Sequence, residues 1–407
     1  MDAAKQQRLG LSFSPPGRGG SLVKRLLVLS NGAGEDAIAA HILRRLPESV
    51  QASVVCCPLV GQGMALQPYE LVGPRVTPPS EGLFRESIGL AVADLLQGVL
   101  LGHLRQLRFL RSRRTAFALT VAVGDLFPVL WAGVAGLRPL LFVGTAKSVY
   151  HHPYSWPERS LLRHFCQLSL VRDQATAERL TAQSVNARWQ GNAMMDEVVP
   201  SGRPLPLAGE GPLLTLLPGS RQEAPNVLPF QLDAVSHLRR RCGPLRAAVA
   251  AAPGCQVEEL TSISRQQGWS LFSCPGEGAL GLLERDGLSV PILRGRLGDL
   301  LLESQLALGQ AGTANEQAAG AGVPVVAFDT RAGRGLRWYR KRQKGLLGDA
   351  VTVLPQNLEA MTNELAELLT NPQERARRGL IGKERMGPPG GAQRMADTIA
   401  ELWQRST

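Results

Sequence analysis

The chain has 407 residues and a formal net charge of +11, from 45 Lys+Arg against 34 Asp+Glu. That length suggests two or three domains, and the 44% hydrophobic fraction excludes wholesale disorder. Aromatics are 5% of the chain against 44 Gly and 28 Pro, a mix that favours helices, turns and glycine loops over an aromatic-rich all-β sandwich. The basic balance points to an anionic partner: nucleic acid, a phosphorylated substrate or an anionic membrane surface.

Residues 1–21 are polar, basic and rich in Gly and Pro, and read as a disordered tail. The apolar run after them, 26–29, is too short for the core of a signal peptide. A buried strand over 25–30 (RLLVLS) leads through Asn31-Gly32-Ala33-Gly34-Glu35-Asp36 into a helix over 37–46. Strands follow over 50–58 and 117–123. The second of these passes through Gly124-Asp125 into an apolar helix ending near 134. A strand over 139–143, a helix over 174–183 and a short strand over 185–189 complete this half. Residues 200–212 (PSGRPLPLAGEGP) have the composition of a linker.

The pattern then restarts. A strand over 213–217 runs into Pro218-Gly219-Ser220-Arg221, followed by a helix over 227–241 and strands over 245–251, 289–293 and 306–309. Gly312-Thr313-Ala314-Asn315-Glu316 opens a helix before the strand 323–328, and the end is helical over 357–370 and 394–404. Strand–helix alternation predicts an α/β protein of two Rossmann-like, doubly wound parallel-sheet domains facing a cleft. The expected division is a tail 1–21, a first domain 22–199, a linker 200–212, a second domain 213–384, and a C-terminal helix 385–407 packing back on the first domain.

None of the six cysteines forms a C-x-x-C pair, and no zinc pattern is present, so reduced thiols in a cytosolic protein are expected. No run approaches ~20 uncharged apolar residues, so membrane contact would be at the surface. Two stretches suit that. Residues 82–114 carry Leu83, Phe84, Leu95, Leu100 and Leu101 and end in Arg105, Arg108, Arg111, Arg113 and Arg114. Residues 331–344 (RAGRGLRWYRKRQK) hold seven basic residues and no acidic one. An ordinary core helix explains the first stretch equally well. No RNA-recognition motif, zinc finger or basic zipper accompanies the charge, and nucleic acid is the weaker option.

Four loops carry candidate chemistry. Gly219 lets backbone approach an anion after a strand, and Arg221 adds a donor fork suited to phosphate. Gly312-Thr313 at a helix N-terminus is an anion or ribosyl site, with Glu316 placed to accept from two vicinal hydroxyls. A plain capping box, Thr313 as N-cap and Glu316 three residues on, is the alternative. The loop Asn31–Asp36 lacks the G-x-G-x-x-G spacing; Glu35 and Asp36 are candidate bases there or simply complement the helix dipole. Asp125, at a strand's carboxyl end, is either a general base in apolar surroundings or a helix N-cap. His151-His152 fall on the same sheet end, and as a vicinal pair their rings are expected to diverge rather than share a metal.

LLPGSRQE (216–223) and GTANEQAAGAGVPVVAF (312–328) resemble the two signature segments of the lipid-A-disaccharide synthases, and Trp189-Gln190-Gly191-Asn192 resembles that family's turn at the end of its N-terminal domain. The resemblance covers most of 25–385, and its second half carries the stronger match. It implies a GT-B glycosyltransferase, cytoplasmic and peripheral to the inner face of the membrane. Such an enzyme moves an acylated hexosaminyl unit from a UDP-sugar to a lipid-linked sugar, inverts the anomeric centre, and needs neither metal nor cofactor. By the resemblance, Gly219, Ser220 and Arg221 meet the diphosphate, Gly312, Thr313, Ala314 and Asn315 line the same site, and Glu316 holds the ribose. Asp125 matches the aspartate that deprotonates the acceptor, and Asn31, Gly32, Gly34 and Glu35 form the acceptor loop. Two departures fall on the acceptor side: the family's first loop reads like G-E-x-S-G-D, and VGDLFP replaces its Asp-x-Pro-Asp-Phe-Asn run. A UDP-sugar 2-epimerase of the same fold and a non-catalytic nucleotide-sugar or lipid-binding protein are the rival readings.

Overall fold

A computed structural model of the chain describes residues 24–76, 99–219, 224–329 and 334–407. The tail 1–21 lies outside them. The chain forms two units, Met1–Ala193 with Gly390–Thr407, and Met194–Pro389.

The first unit is built on seven parallel strands: β1 (Arg25–Ser30), β2 (Val54–Pro58), β3 (Glu70–Leu71), β4 (Phe117–Gly124), β5 (Leu140–Gly144), β6 (Leu168–Val171) and β7 (Ala187–Trp189). Their order is β3-β2-β1-β4-β5-β6-β7. The order reverses between β1 and β4, where an open α/β sheet leaves a crevice beyond its strand ends. Helices cover both faces, so the central strands are apolar along most of their length. Leu26, Val28, Leu119 and Val121 pack on one face with Ile399, Leu402 and Trp403. These last three belong to the terminal helix Gly391–Ser406, which lies within the expected 385–407 and completes the first core. On the other face Leu27, Leu29, Ala122 and Phe142 pack with Phe109, Leu110 and Val129.

The second unit has eight strands: β8 (Leu213–Leu217), β9 (Arg246–Ala251), β10 (Ser270–Phe272), β11 (Ala279–Arg285), β12 (Leu288–Arg294), β13 (Ser304–Gly309), β14 (Val325–Asp329) and β15 (Val351–Pro355). Their order is β10-β11-β12-β9-β8-β13-β14-β15. β11 pairs antiparallel with both neighbours, and the other pairings are parallel. The cause is local: Asp286 (φ 51) and Gly287 (φ 69) form a two-residue turn joining β11 to β12. Positive φ at both central residues matches the twist of a tight hairpin.

The Pro/Gly-rich stretch expected to be a linker is fastened to the second unit. The backbone N–H and the hydroxyl of Ser201 donate to Asp299, at 2.7 and 2.9 Å. Arg296, itself paired with Asp299, donates to the carbonyls of Arg203 (2.7 Å) and Pro204 (3.2 Å). Leu205 and Leu207 pack on Leu213, Leu293 and Leu300. Composition reports a chain without regular structure; it does not report the buried ion pair that captures it.

Candidate functional site

In the first unit the candidate residues gather beyond the ends of β1 and β4. Gly32, at φ 147, caps the helix Ala33–Leu43, which begins four residues earlier than the sequence suggested. Gly34, Glu35 and Asp36 therefore lie in its first turn. Glu35 folds across two glycines: a Cβ on Gly32 would stand 3.0 Å from its Oε2, and one on Gly124 (φ +127) 2.9 Å from its Cγ. Asp36 turns inward and is buried against the Ser30 hydroxyl. Burial pushes its carboxyl above the usual range, against the opposing effect of the Ser30 bond.

Asp125 caps the helix Leu126–Ala135. Its Oδ1 accepts from the Phe127 N–H at 2.8 Å and from the Asn31 amide at 3.0 Å. Its surroundings are thus not purely apolar, as expected from sequence, but hydrogen-bonding. Both bonds fall on Oδ1, so among the described residues Oδ2 has no protein partner. The cap role and an available carboxylate oxygen coexist.

His151 and His152 do not diverge. A Ser148–His151 bridge and a positive φ of 54 at His152 turn the chain sharply, and the rings meet edge to face at 4.1 Å. The sequence does not single out three charged neighbours at this sheet end. Lys147 pairs with Glu158 at 2.6 Å, Arg172 donates to the Thr145 carbonyl, and Asp173 caps the helix Gln174–Thr181. Arg172 and Asp173 directly follow β6, and recognising that strand would have found them.

The second unit presents a matching set beyond β8 and β13. The Gln310 N–H donates to the Leu217 carbonyl at 2.8 Å, which brings the two loops together. Gly219 has φ +103, and a Cβ there would stand 3.7 Å from the Gln310 carbonyl oxygen. Ser220 and Arg221 lie outside the described residues. The helix Thr313–Ala321 is capped by Gly312 with no side-chain cap bond. Thr313 is its first residue, exposed, so the capping box with Thr313 as N-cap is not formed. Gly312 and Ala314 are half-buried beside it.

Asn315 does not line this surface. It is 1% exposed and donates to Gln343 Oε1 at 3.3 Å. A Cβ on Gly309 would stand 2.7 Å from its Cγ, so the bare glycine makes room for this amide. Gln343 in turn donates to the carbonyls of Ala311 (3.2 Å) and Gly312 (2.8 Å). Asn315 is therefore a brace: it holds the residue that holds the loop. Glu316 is buried in the same turn. Gln310, not singled out from sequence, donates to the Phe328 carbonyl at 2.6 Å, while its buried Oε1 has no partner among the described residues. A donor from a bound ligand would satisfy that oxygen. Among the described residues no three His, Cys, Asp or Glu side chains gather to hold a metal ion.

The two basic stretches have different fates. Residues 77–98, which include most of the apolar run, lie outside the described residues. The helix Val99–Ser112 is anchored by Gln106, which donates to the carbonyls of Leu59 (2.8 Å) and Pro74 (3.0 Å). Its Leu100, Leu101 and Leu104 are exposed, as is Val134 on the neighbouring helix. Arg105, Arg108 and Arg111 are exposed too. Leu101, Leu104, Arg105 and Arg108 share one helix face by their spacing. In the second stretch, 331–333 and the side chains of 334–339 are outside the described residues. Arg340 is buried and paired with Asp329 at 2.9 Å, which corrects its expected role toward lipid headgroups. Among the described residues no helix is long and apolar enough to cross a membrane.

Two α/β units, one with a parallel sheet and one with a mainly parallel sheet, each with glycine-bearing loops at its strand ends, define the GT-B fold class. Solved structures of that class match nearly the whole chain. MurG from Acinetobacter baumannii matches with a TM-score of 0.54 at 14% identity, over 94% of this chain and 99% of its own length. The UDP-GlcNAc 2-epimerase of Neisseria meningitidis, solved bound to UDP-GlcNAc, matches with a TM-score of 0.51 at 12% identity, over 94% of this chain and 100% of its own. MnaA from S. aureus, solved with UDP, matches with a TM-score of 0.53 at 13% identity, over 94% and 98%. At these identities the likeness is one of fold. No family model and no curated protein sequence matches at a significant level.

Proposed function

We propose that the chain is a UDP-sugar-dependent glycosyltransferase related to the lipid-A-disaccharide synthases, transferring an acylated hexosaminyl unit to a lipid-linked sugar with inversion. The observation that carries this reading is the second unit's paired loop, with Gly219 against Gln310 and the uncapped helix start at Gly312-Thr313. Backbone N–H groups at a helix start favour a diphosphate, and Arg221 would add charge. Glu316 is assigned the ribose hydroxyls.

In the proposed step the acceptor hydroxyl oxygen attacks the anomeric carbon as the bond to the β-phosphate oxygen breaks. Asp125 Oδ2 takes the hydroxyl proton, and the bond's electron pair leaves with UDP. Asn31 and Phe127 hold the other oxygen, Oδ1, and so fix the direction of the base. Leaving-group charge is met by preorganised donors, which lower the barrier without a covalent intermediate or a metal. The exposed leucines and arginines of the helix Val99–Ser112 suit the surface of an anionic bilayer, from which a lipid acceptor would be drawn.

The test is UDP release from UDP-diacylglucosamine by wild type, Asp125→Ala and Glu316→Ala. Turnover lost in Asp125→Ala with UDP still bound supports the assignment. Binding of UDP without turnover in wild type favours a binding protein, and no UDP binding removes the donor-site reading. An epimerase is favoured by one specific feature, the acid–base groups Glu35, Asp125, His151 and Asp173 at the carboxyl end of a single sheet. It predicts incorporation of solvent deuterium at C2 of UDP-GlcNAc, which a transferase does not produce.

A further inference from the structure

The helix Ala224–Cys242 begins five residues after Gly219 and is 19 residues long. At 1.5 Å per residue its last turn lies about 25 Å from its first, remote from the paired loop. There His237, Arg240 and Arg241 face Leu358, Thr362 and Asn363 of the helix Leu358–Thr370 across a groove of about 500 Å³. Glu359 also lines it. Arg240 meets His237 Nδ1 at 3.0 Å, and Arg241 donates to the Asn363 side-chain oxygen. Among the described residues neither arginine is paired with a carboxylate. Other arginines of this unit are: Arg246 with Glu303, Arg285 with Asp233, Arg378 with Glu364.

We infer that this groove is a second anion site, one that takes a small molecule bearing a phosphoryl group. Two guanidinium groups and an imidazole line the groove, and the guanidinium N–H groups not used on His237 and Asn363 suit phosphate oxygens. The volume falls in the range of small-molecule sites, roughly 300–1,000 Å³, and exceeds the needs of a bare phosphate. Leu358 offers an apolar patch for the organic body, and Thr362 and Asn363 offer polar contacts. The phosphoryl group belongs either to a soluble metabolite or to a lipid headgroup.

The experiment titrates the full chain with inorganic pyrophosphate by calorimetry, in saturating UDP so that the paired loop is occupied. Wild type should bind, and Arg240→Ala/Arg241→Ala should weaken binding at least tenfold. A control that removes two positive charges elsewhere in the unit, Arg239→Ala/Arg265→Ala, should stay within threefold of wild type. Asn363→Trp fills the groove without changing charge and should also weaken binding at least tenfold. Absence of pyrophosphate binding by wild type, or equal weakening in both double variants, overturns the site. Flotation with phosphatidylglycerol vesicles separates the sources: dependence on Arg240 and Arg241 there assigns a headgroup, and independence assigns a soluble ligand. If UDP does not bind at all, the titration without UDP still decides this site, while the donor-site reading fails separately.

Discussion

Replacing Gly309 by alanine tests the brace beneath the paired loop. The new methyl would overlap the Asn315 amide, 2.7 Å from its Cγ. Asn315 is buried at 1% exposed and bonded to Gln343, so it has little room to retreat. Overpacking of this kind costs about 1–3 kcal/mol. Loss of the Asn315–Gln343 bond adds about 0.5–1.5 kcal/mol. The expected local destabilisation is about 1.5–4.5 kcal/mol, which corresponds to roughly 10- to 2,000-fold more frequent opening. Hydrogen exchange by mass spectrometry on peptides spanning the helix Thr313–Ala321 reads that opening directly. UDP affinity should fall with it, because Gln343 fixes the carbonyls of Ala311 and Gly312. The decisive comparison is with Asn315→Ala. Once the amide is gone, the methyl has nothing to strike, so Gly309→Ala should cost less than about 1 kcal/mol in that background. Additive penalties in the double variant, or wild-type exchange in Gly309→Ala, would refute the brace.

Three further outcomes are expected. Asp125→Asn keeps an oxygen for the Phe127 N–H but removes the base, so kcat should fall roughly 100-fold or more with UDP affinity unchanged; full turnover in this variant would exclude Asp125 as the base. Leu101→Asp with Leu104→Asp places charge on two exposed apolar positions and should reduce flotation with phosphatidylglycerol vesicles at least tenfold; unchanged flotation would remove this helix from any membrane contact. Hydrogen bonds from Arg377 and then Arg378 pull the Glu374 carboxyl down from its ordinary 4.5 to about 2. Its folded value lies below its unfolded one, so its stabilising effect is present above 4.5 and fades as the pH falls toward 2. Thermal unfolding of Glu374→Gln should differ from wild type at pH 7 and converge with it on acidification; a gap that widens in acid would contradict this.

The parallel strands were legible because burial on both faces leaves long apolar runs, as in β1, β4 and β14. β10 and β11, which pair antiparallel beside the expected β12, were not. They are short or half-buried, and the Asp286-Gly287 turn was the available signal. The helix Trp156–Phe165 also carried a readable start, the capping box of Ser155 and Glu158 with Pro157 between them. At the site, motif likeness brought Gly219, Gly312 and Thr313 to one place in the second unit. It failed for Asn315, because inward or outward direction depends on Gly309 and Gln343, which lie outside the motif. It was silent on the pairing of Asn31 with Asp125, a contact across 94 residues of sequence.

The terminal helix Gly391–Ser406 has a consequence for how the protein is made. The first unit's core receives Ile399, Leu402 and Trp403 from the end of the chain, after all of Met194–Pro389 has been synthesised. At ~5–20 residues per second, a ribosome needs roughly 10–40 s to cross that interval. During it, the face of the sheet bearing Leu26, Val28 and Val121 lacks its last cover, while the second unit emerges with its own core whole. The unit translated first is therefore the one whose core is completed last.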